Sequence, residues 1–155
     1  ADDYALGAAV REAGLVLALS SCRVRTTVTE SAAAPLLAHE LRWMRTIRSI
    51  ESAGHAASTI TYPVAMALLT LGLSLAAGHP GLGLAVLGVA VLARAMTGRM
   101  IDAQLGEPPT PVWLMLCRDV VSFGLVVASF CGTTIWWRNS LYRIQSDGRL
   151  VPVES

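Results

Sequence analysis

Three rhythms of hydrophobic and polar positions divide this chain. The most regular covers residues 36–50. Wound as a helix at ~100° per residue, this stretch gathers Leu36, Leu37, Leu41, Trp43, Met44, Ile47 and Ile50 on one half of the cylinder. Arg42 and Arg45 fall on the other half, and Arg48 sits at the border. Upstream, Ser31 offers a cap and Pro35 a first-turn residue. The pattern predicts an amphipathic helix within residues 31–55, its apolar side in the acyl boundary of a membrane and its guanidinium groups among headgroups.

Ahead of that helix the rhythm is short. Residues 1–14 read as a helix that Asp2 or Asp3 can cap, on which Leu6 and Val10 share a face and which Gly14 ends. Residues 15–19 are a continuous apolar run and residues 23–28 alternate with β-branched positions, so two strands are expected. Residues 1–30 then form the end of an α/β domain whose remaining strands lie upstream, and the chain is expected to be the C-terminal part of a longer protein.

Behind the helix the chain is almost continuously apolar from residue 56 to residue 137. Three segments are expected there, at about residues 60–77, 82–96 and 112–137, each near the ~20 residues a membrane span needs. The second is rich in Gly and Ala, which allows close helix approach. The third is interrupted by Arg118-Asp119, either the polar end of a span or a pair of functional charges at membrane depth. In the tail, residues 138–155, alternation around Asn139-Ser140 predicts a hairpin, with the Trp136-Trp137 pair at the interface.

Composition supports the membrane. Of 155 residues, 54% are hydrophobic and 15% charged, and the mean hydropathy is +0.54. A domain of this length cannot bury that much apolar surface by itself. A net charge of +1 gives no argument for nucleic acid. All twelve cationic residues are Arg, which fits bidentate phosphate recognition but is more simply a GC-rich coding bias. Three cysteines without C-x-x-C spacing indicate neither a disulfide framework nor a zinc site.

Chemistry concentrates in three places. Asp2-Asp3-Tyr4 opens the chain after Ala1; His39-Glu40-Leu41-Arg42-Trp43 lies on the amphipathic helix; Trp137-Arg138 and Tyr142-Arg143-Ile144 follow the last apolar segment. In this order and spacing they resemble the Glu/Asp-Asp-Tyr segment, the (Gln/Arg)-x-x-Arg-Trp signature and the tail of ceramide glucosyltransferase-like membrane glycosyltransferases. The likeness is strongest to bacterial hopanoid-biosynthesis members and covers essentially the whole chain. His39 departs from the pattern, standing where Gln or Arg is usual.

The resemblance implies an inverting transfer of a sugar from a UDP-sugar to a lipid hydroxyl, hopanoid or ceramide-like. It implies a GT-A-like α/β catalytic domain, here only its C-terminal fragment, followed by a mostly helical membrane region. Asp3 would be the general base and Asp2 its neighbour. Arg42 would hold the nucleotide diphosphate and Trp43 the acceptor, with His39 beside them. Trp137, Arg138, Tyr142 and Arg143 would contribute tail contacts. A divalent metal, Mg or Mn, is expected with its ligands upstream, since no Asp-x-Asp occurs in these residues; the chain by itself is then expected to be inactive. Read from residue types alone, Asp3 is an ordinary helix cap, and Arg42 and Trp43 are a snorkelling cation and an interfacial anchor. A polysaccharide synthase of related fold and a non-catalytic lipid-binding anchor are the rival functions.

Other chemistries fail on spacing. His39-Glu40 begins a H-E-x-x-H pattern, but Trp43 occupies the second His position. Neither a glycine-rich phosphate loop nor G-x-S-x-G is present. A bacterial inner membrane is the expected location, with Arg42, Arg45 and Arg48 on the cytoplasmic side. Three full crossings would leave Arg138, Arg143 and Arg149 outside, so one segment is expected not to cross, the third being split by Arg118-Asp119.

Overall fold

The computed structural model describes residues 2–16, 18, 20–22, 24, 30–137, 140–145 and 150–153, with backbone only at residues 2–5, 136, 137 and 150. The chain separates into two compact units, residues 1–51 with 132–155, and residues 52–131.

In the first unit, α1 (Asp2–Glu12) stops where Gly14 takes φ +72°. The left-handed turn lets Leu15 N–H reach back to Val10 O at 3.1 Å, satisfying a helix-end carbonyl. The strand expected at residues 15–19 is not formed at its described positions: Leu15, Val16 and Ala18 are irregular, and Val16 is 91% exposed. An apolar run makes a strand only when a neighbour pairs it, and none does among the described residues. The second expected strand, residues 23–28, lies almost entirely outside them.

The amphipathic helix is α2 (Ala33–Ile50). Its cap position is Ala32 and no side chain caps it, so Ser31 falls one residue too early for the role expected of it. Pro35 stands in the first turn, where its missing N–H costs nothing.

The tail of this unit is an antiparallel sheet of order β1 (Thr134–Trp137), β2 (Ser140–Ile144) and β3 (Leu150–Pro152). Pairing of β1 with β2 closes at Trp137↔Ser140. Ile135 and Ile144 are buried. They lie on the Tyr142 face, whereas Arg143 is exposed on the other. The third apolar segment therefore ends earlier than expected. Its helix stops at Ser129, and Thr133-Thr134-Ile135, β-branched, turns to strand after Gly132 at φ +92°. Among the described residues the chain is mostly helical, as expected of its membrane region, with one small antiparallel sheet.

The second unit begins with α3 (Ser52–Ala57) and a 3-10 turn (Ser58–Thr61), then α4 (Pro63–Ala76), α5 (Pro80–Leu105) and α6 (Val112–Ser129). Helices α5 and α6 are long and apolar enough to cross a membrane. The first expected span is instead a broken one: residues 52–61 and α4 meet at a 75° bend. Pro63 explains the break, since it cannot continue a helix from Tyr62 but suits the first position of the next.

The three helices are tied by polar groups inside apolar surroundings. Asp119, 4% exposed, accepts from Val64 N–H at 3.0 Å and from Arg94 Nε at 3.2 Å. One carboxylate thus caps α4, which has no cap of its own, and pairs with the charge on α5. Glycine permits the close approaches: a Cβ on Gly83 would lie 2.8 Å from Leu71 Cα, and one on Gly98 2.3 Å from Met115 Sδ. Near the other end of α6, His55 Nε2 lies 2.9 Å from Ser129 Oγ, whose hydrogen goes to Val126 O at 2.6 Å. The imidazole is therefore the donor. Arg118-Asp119 does not split α6, because the helix runs unbroken with Asp119 buried and Arg118 exposed.

Candidate functional site on the Arg-Trp helix

The helical period brings residues 39, 42, 43 and 46 to one flank of α2, because positions three and four apart are neighbours there. His39, Arg42, Trp43 and Thr46 line a cavity of about 240 Å³. Three of these were singled out by sequence; Thr46 was not, although its spacing from His39 and Arg42 places it there. Its hydroxyl donates to Arg42 O at 3.0 Å, leaving oxygen lone pairs for another group. Trp43 is 57% exposed, so an indole face is open to a ligand. Arg42 is half-buried, and its guanidinium makes no hydrogen bond or ion pair among the described residues.

Its neighbours are spent differently. Arg45 Nη1 donates to Thr134 O at 2.6 Å, and Arg48 Nη2 donates to Gly132 O at 3.2 Å. The interfacial-helix reading sends all three guanidinium groups to headgroups; two of them instead hold the backbone that leads into β1. Those carbonyls are reached because the chain bends at Gly132, where the added Cβ would stand 3.6 Å from Arg45 Nη2.

A residue without any sequence signal completes the flank. Glu30 Oε1 lies 2.5 Å from His39 Nδ1. It precedes the helix in an irregular segment, nine positions from its partner, where no periodicity points to a contact.

The remaining candidates are not gathered here. Asp2 and Asp3 occupy the first turn of α1, and their side chains lie outside the described residues, as do those of Trp137 and Arg138. Tyr142 and Arg143 point to opposite faces of β2. Among the described residues no group of three or more His, Cys, Asp or Glu is arranged to hold a metal ion.

The Arg- and Trp-lined cavity lies on the amphipathic helix of a chain whose α5 and α6 are long and apolar enough to cross a bilayer, as in a membrane-associated protein. Residues 1–150 match the family described as Glycosyl transferase family 21, and the chain belongs to that family. No curated protein and no solved structure matches it.

Proposed function

We propose that this chain forms the membrane and acceptor-side part of a glycosyltransferase that moves a sugar from a UDP-sugar to a lipid hydroxyl, with inversion at the anomeric carbon. The observation that carries this reading is the cavity at which His39, Arg42 and Trp43 open together in a chain of family 21. A guanidinium fork suits two oxygens of a diphosphate. An indole face suits a sugar or lipid headgroup. The family resemblance gives Asp3 the acceptor proton: the hydroxyl oxygen attacks the anomeric carbon, the bond to the diphosphate oxygen breaks, and the carboxylate takes the hydrogen. A GT-A-like part upstream of these residues would bind the nucleotide and a Mg or Mn ion. A hopanoid or ceramide-like acceptor and the cytoplasmic face of a bacterial inner membrane complete the reading.

The test is transfer of label from UDP-glucose or UDP-N-acetylglucosamine into extractable lipid by the full-length enzyme in membranes. Arg42→Ala should lower kcat/KM about 10- to 100-fold, the loss of one charged hydrogen-bonding group. Asp3→Asn should lower turnover ~10²–10⁴-fold with nucleotide affinity little changed. Label in a water-soluble polymer would favour the polysaccharide synthase. No transfer, with vesicle binding retained, would leave a membrane anchor.

A further inference from the structure

We propose that Thr46 selects the substrate of the Arg-Trp cavity, its oxygen accepting a hydrogen bond from a substrate hydroxyl beside the oxyanion that Arg42 holds. The inference deepens the glycosyltransferase reading above and rests on it. Its origin is the direction of one bond. Thr46 Oγ1 lies 3.0 Å from Arg42 O, and a carbonyl only accepts, so the hydroxyl hydrogen sits in that contact. Towards the cavity Thr46 then offers lone pairs and no hydrogen. Bonding to the carbonyl four residues back is one of the two side-chain rotations open to Thr in a helix, and it holds Oγ1 in place. The backbone there is held too, because Ser49 Oγ donates to Thr46 O at 2.7 Å.

The neighbouring side chains are of the opposite kind. Arg42 and the indole N–H of Trp43 can only donate, and both line the cavity with Thr46. His39, on the same flank, is tied through Nδ1 to Glu30 Oε1. A ligand that satisfies Arg42 and Thr46 together carries an anionic oxygen for the guanidinium and, close to it, an O–H for the threonine. A bare phosphate meets only half of this, since its oxygens would face the lone pairs of Thr46.

The hydroxyl belongs either to the transferred sugar or to the lipid acceptor, the two hydroxylated groups that meet at the diphosphate. Thr70 supplies the contrast. It makes the same bond, to Met66 O at 2.9 Å, but it lines a groove among Pro63, Met66 and the Ala and Val residues of α4 and α5. No guanidinium accompanies it there, so its lone pairs have no polar ligand to read.

The experiment follows transfer of label from UDP-glucose and UDP-N-acetylglucosamine into extractable lipid by the full-length enzyme. The UDP-sugar and added ceramide or hopanoid are varied in turn, with UDP affinity and thermal unfolding alongside. Thr46→Val keeps the shape and removes the oxygen. It should lower kcat/KM about 5- to 10-fold, the worth of one neutral hydrogen bond, through a higher KM for one substrate and with UDP affinity unchanged. Thr46→Ala should do the same, and Thr46→Ser, which keeps the oxygen, should retain most of the activity. Thr70→Val removes the same helical bond and should change neither KM. A higher KM for the UDP-sugar assigns the hydroxyl to the transferred sugar; a higher KM for the lipid assigns it to the acceptor. Both KM values unmoved in folded Thr46→Val and Thr46→Ala, beside an active wild type, overturn this inference alone. So does a Thr46→Ser variant as impaired as Thr46→Val, or a Thr70→Val variant impaired to the same degree. A matching fall in UDP affinity overturns it as well, by placing the contact on the nucleotide. A wild type that moves no label into lipid overturns the glycosyltransferase reading and this inference with it.

Discussion

The two units dispose of their charges in opposite ways. On α2, none of the residues is fully buried, and Arg42 faces an open cavity while Arg45 and Arg48 are committed to backbone carbonyls. In the helical unit, Arg94 and Asp119 are folded inward and shared among three helices. The first arrangement keeps one cation available for a ligand by occupying its neighbours elsewhere. The second spends the Arg94–Asp119 pair on holding helices together. A charged residue in an apolar stretch is a functional candidate by default, but here the partner decides: Asp119 is saturated by the fold, and Arg42 is not.

The sharpest way to break the comparison is to empty the inner charge site. Asp119→Ala leaves Arg94 without its carboxylate and α4 without its cap, and should cost about 3–5 kcal/mol, the usual penalty for removing one partner of a buried pair. Asp119→Asn keeps an acceptor for Val64 N–H and should cost less. Unfolding of the full-length protein in detergent measures both. Equal stability of Asp119→Ala and wild type would mean that the pair holds nothing.

A smaller effect separates the arginines of α2. Arg45→Ala removes a charged donor from Thr134 O and should lower stability by about 1.5–3 kcal/mol, whereas Arg42→Ala should leave the melting temperature unchanged and lower transfer. If both variants melt alike, the division of labour along α2 is wrong. Smallest is the helix contact at Gly98. A methyl there displaces Met115; overpacking costs about 1–3 kcal/mol, and the low end applies because a thioether chain can yield.

What was legible in the sequence had a period. The spacing of His39, Arg42 and Trp43 alone places them on one flank, and the apolar runs of α5 and α6 announce themselves by length. What was not legible depended on distant partners. Val64, Arg94 and Asp119 lie 55 and 25 residues apart in the two contacts that join them. Glu30 meets His39 from an irregular segment. Residues 15–19 look like a strand because they are apolar, yet nothing pairs with them among the described residues. The end of α6 was misplaced because Trp136-Trp137 extends the apolar run, although the β-branched residues after Gly132 already favour a strand.

The bonds from Arg45 and Arg48 to Thr134 and Gly132 carry a consequence of parity. They require the backbone at residues 132–134 to share a compartment with α2, since a guanidinium on one face of a bilayer cannot reach a carbonyl on the other. Every path from residue 51 to residue 132 must then make an even number of passages. With α5 and α6 as the two crossings that their length and composition allow, an even count predicts no full crossing for residues 52–61 and the 14-residue α4. On this count the segment predicted not to cross is the first, where the sequence alone pointed to the third. Arg42, Arg45, Arg48 and Arg143 are then predicted on one side, as the positive-inside rule asks. With the exposed Cys22, Cys117 and Cys131 replaced, single cysteines at Ser31 and Ser146 should be labelled by an impermeant thiol reagent from the same side of the membrane.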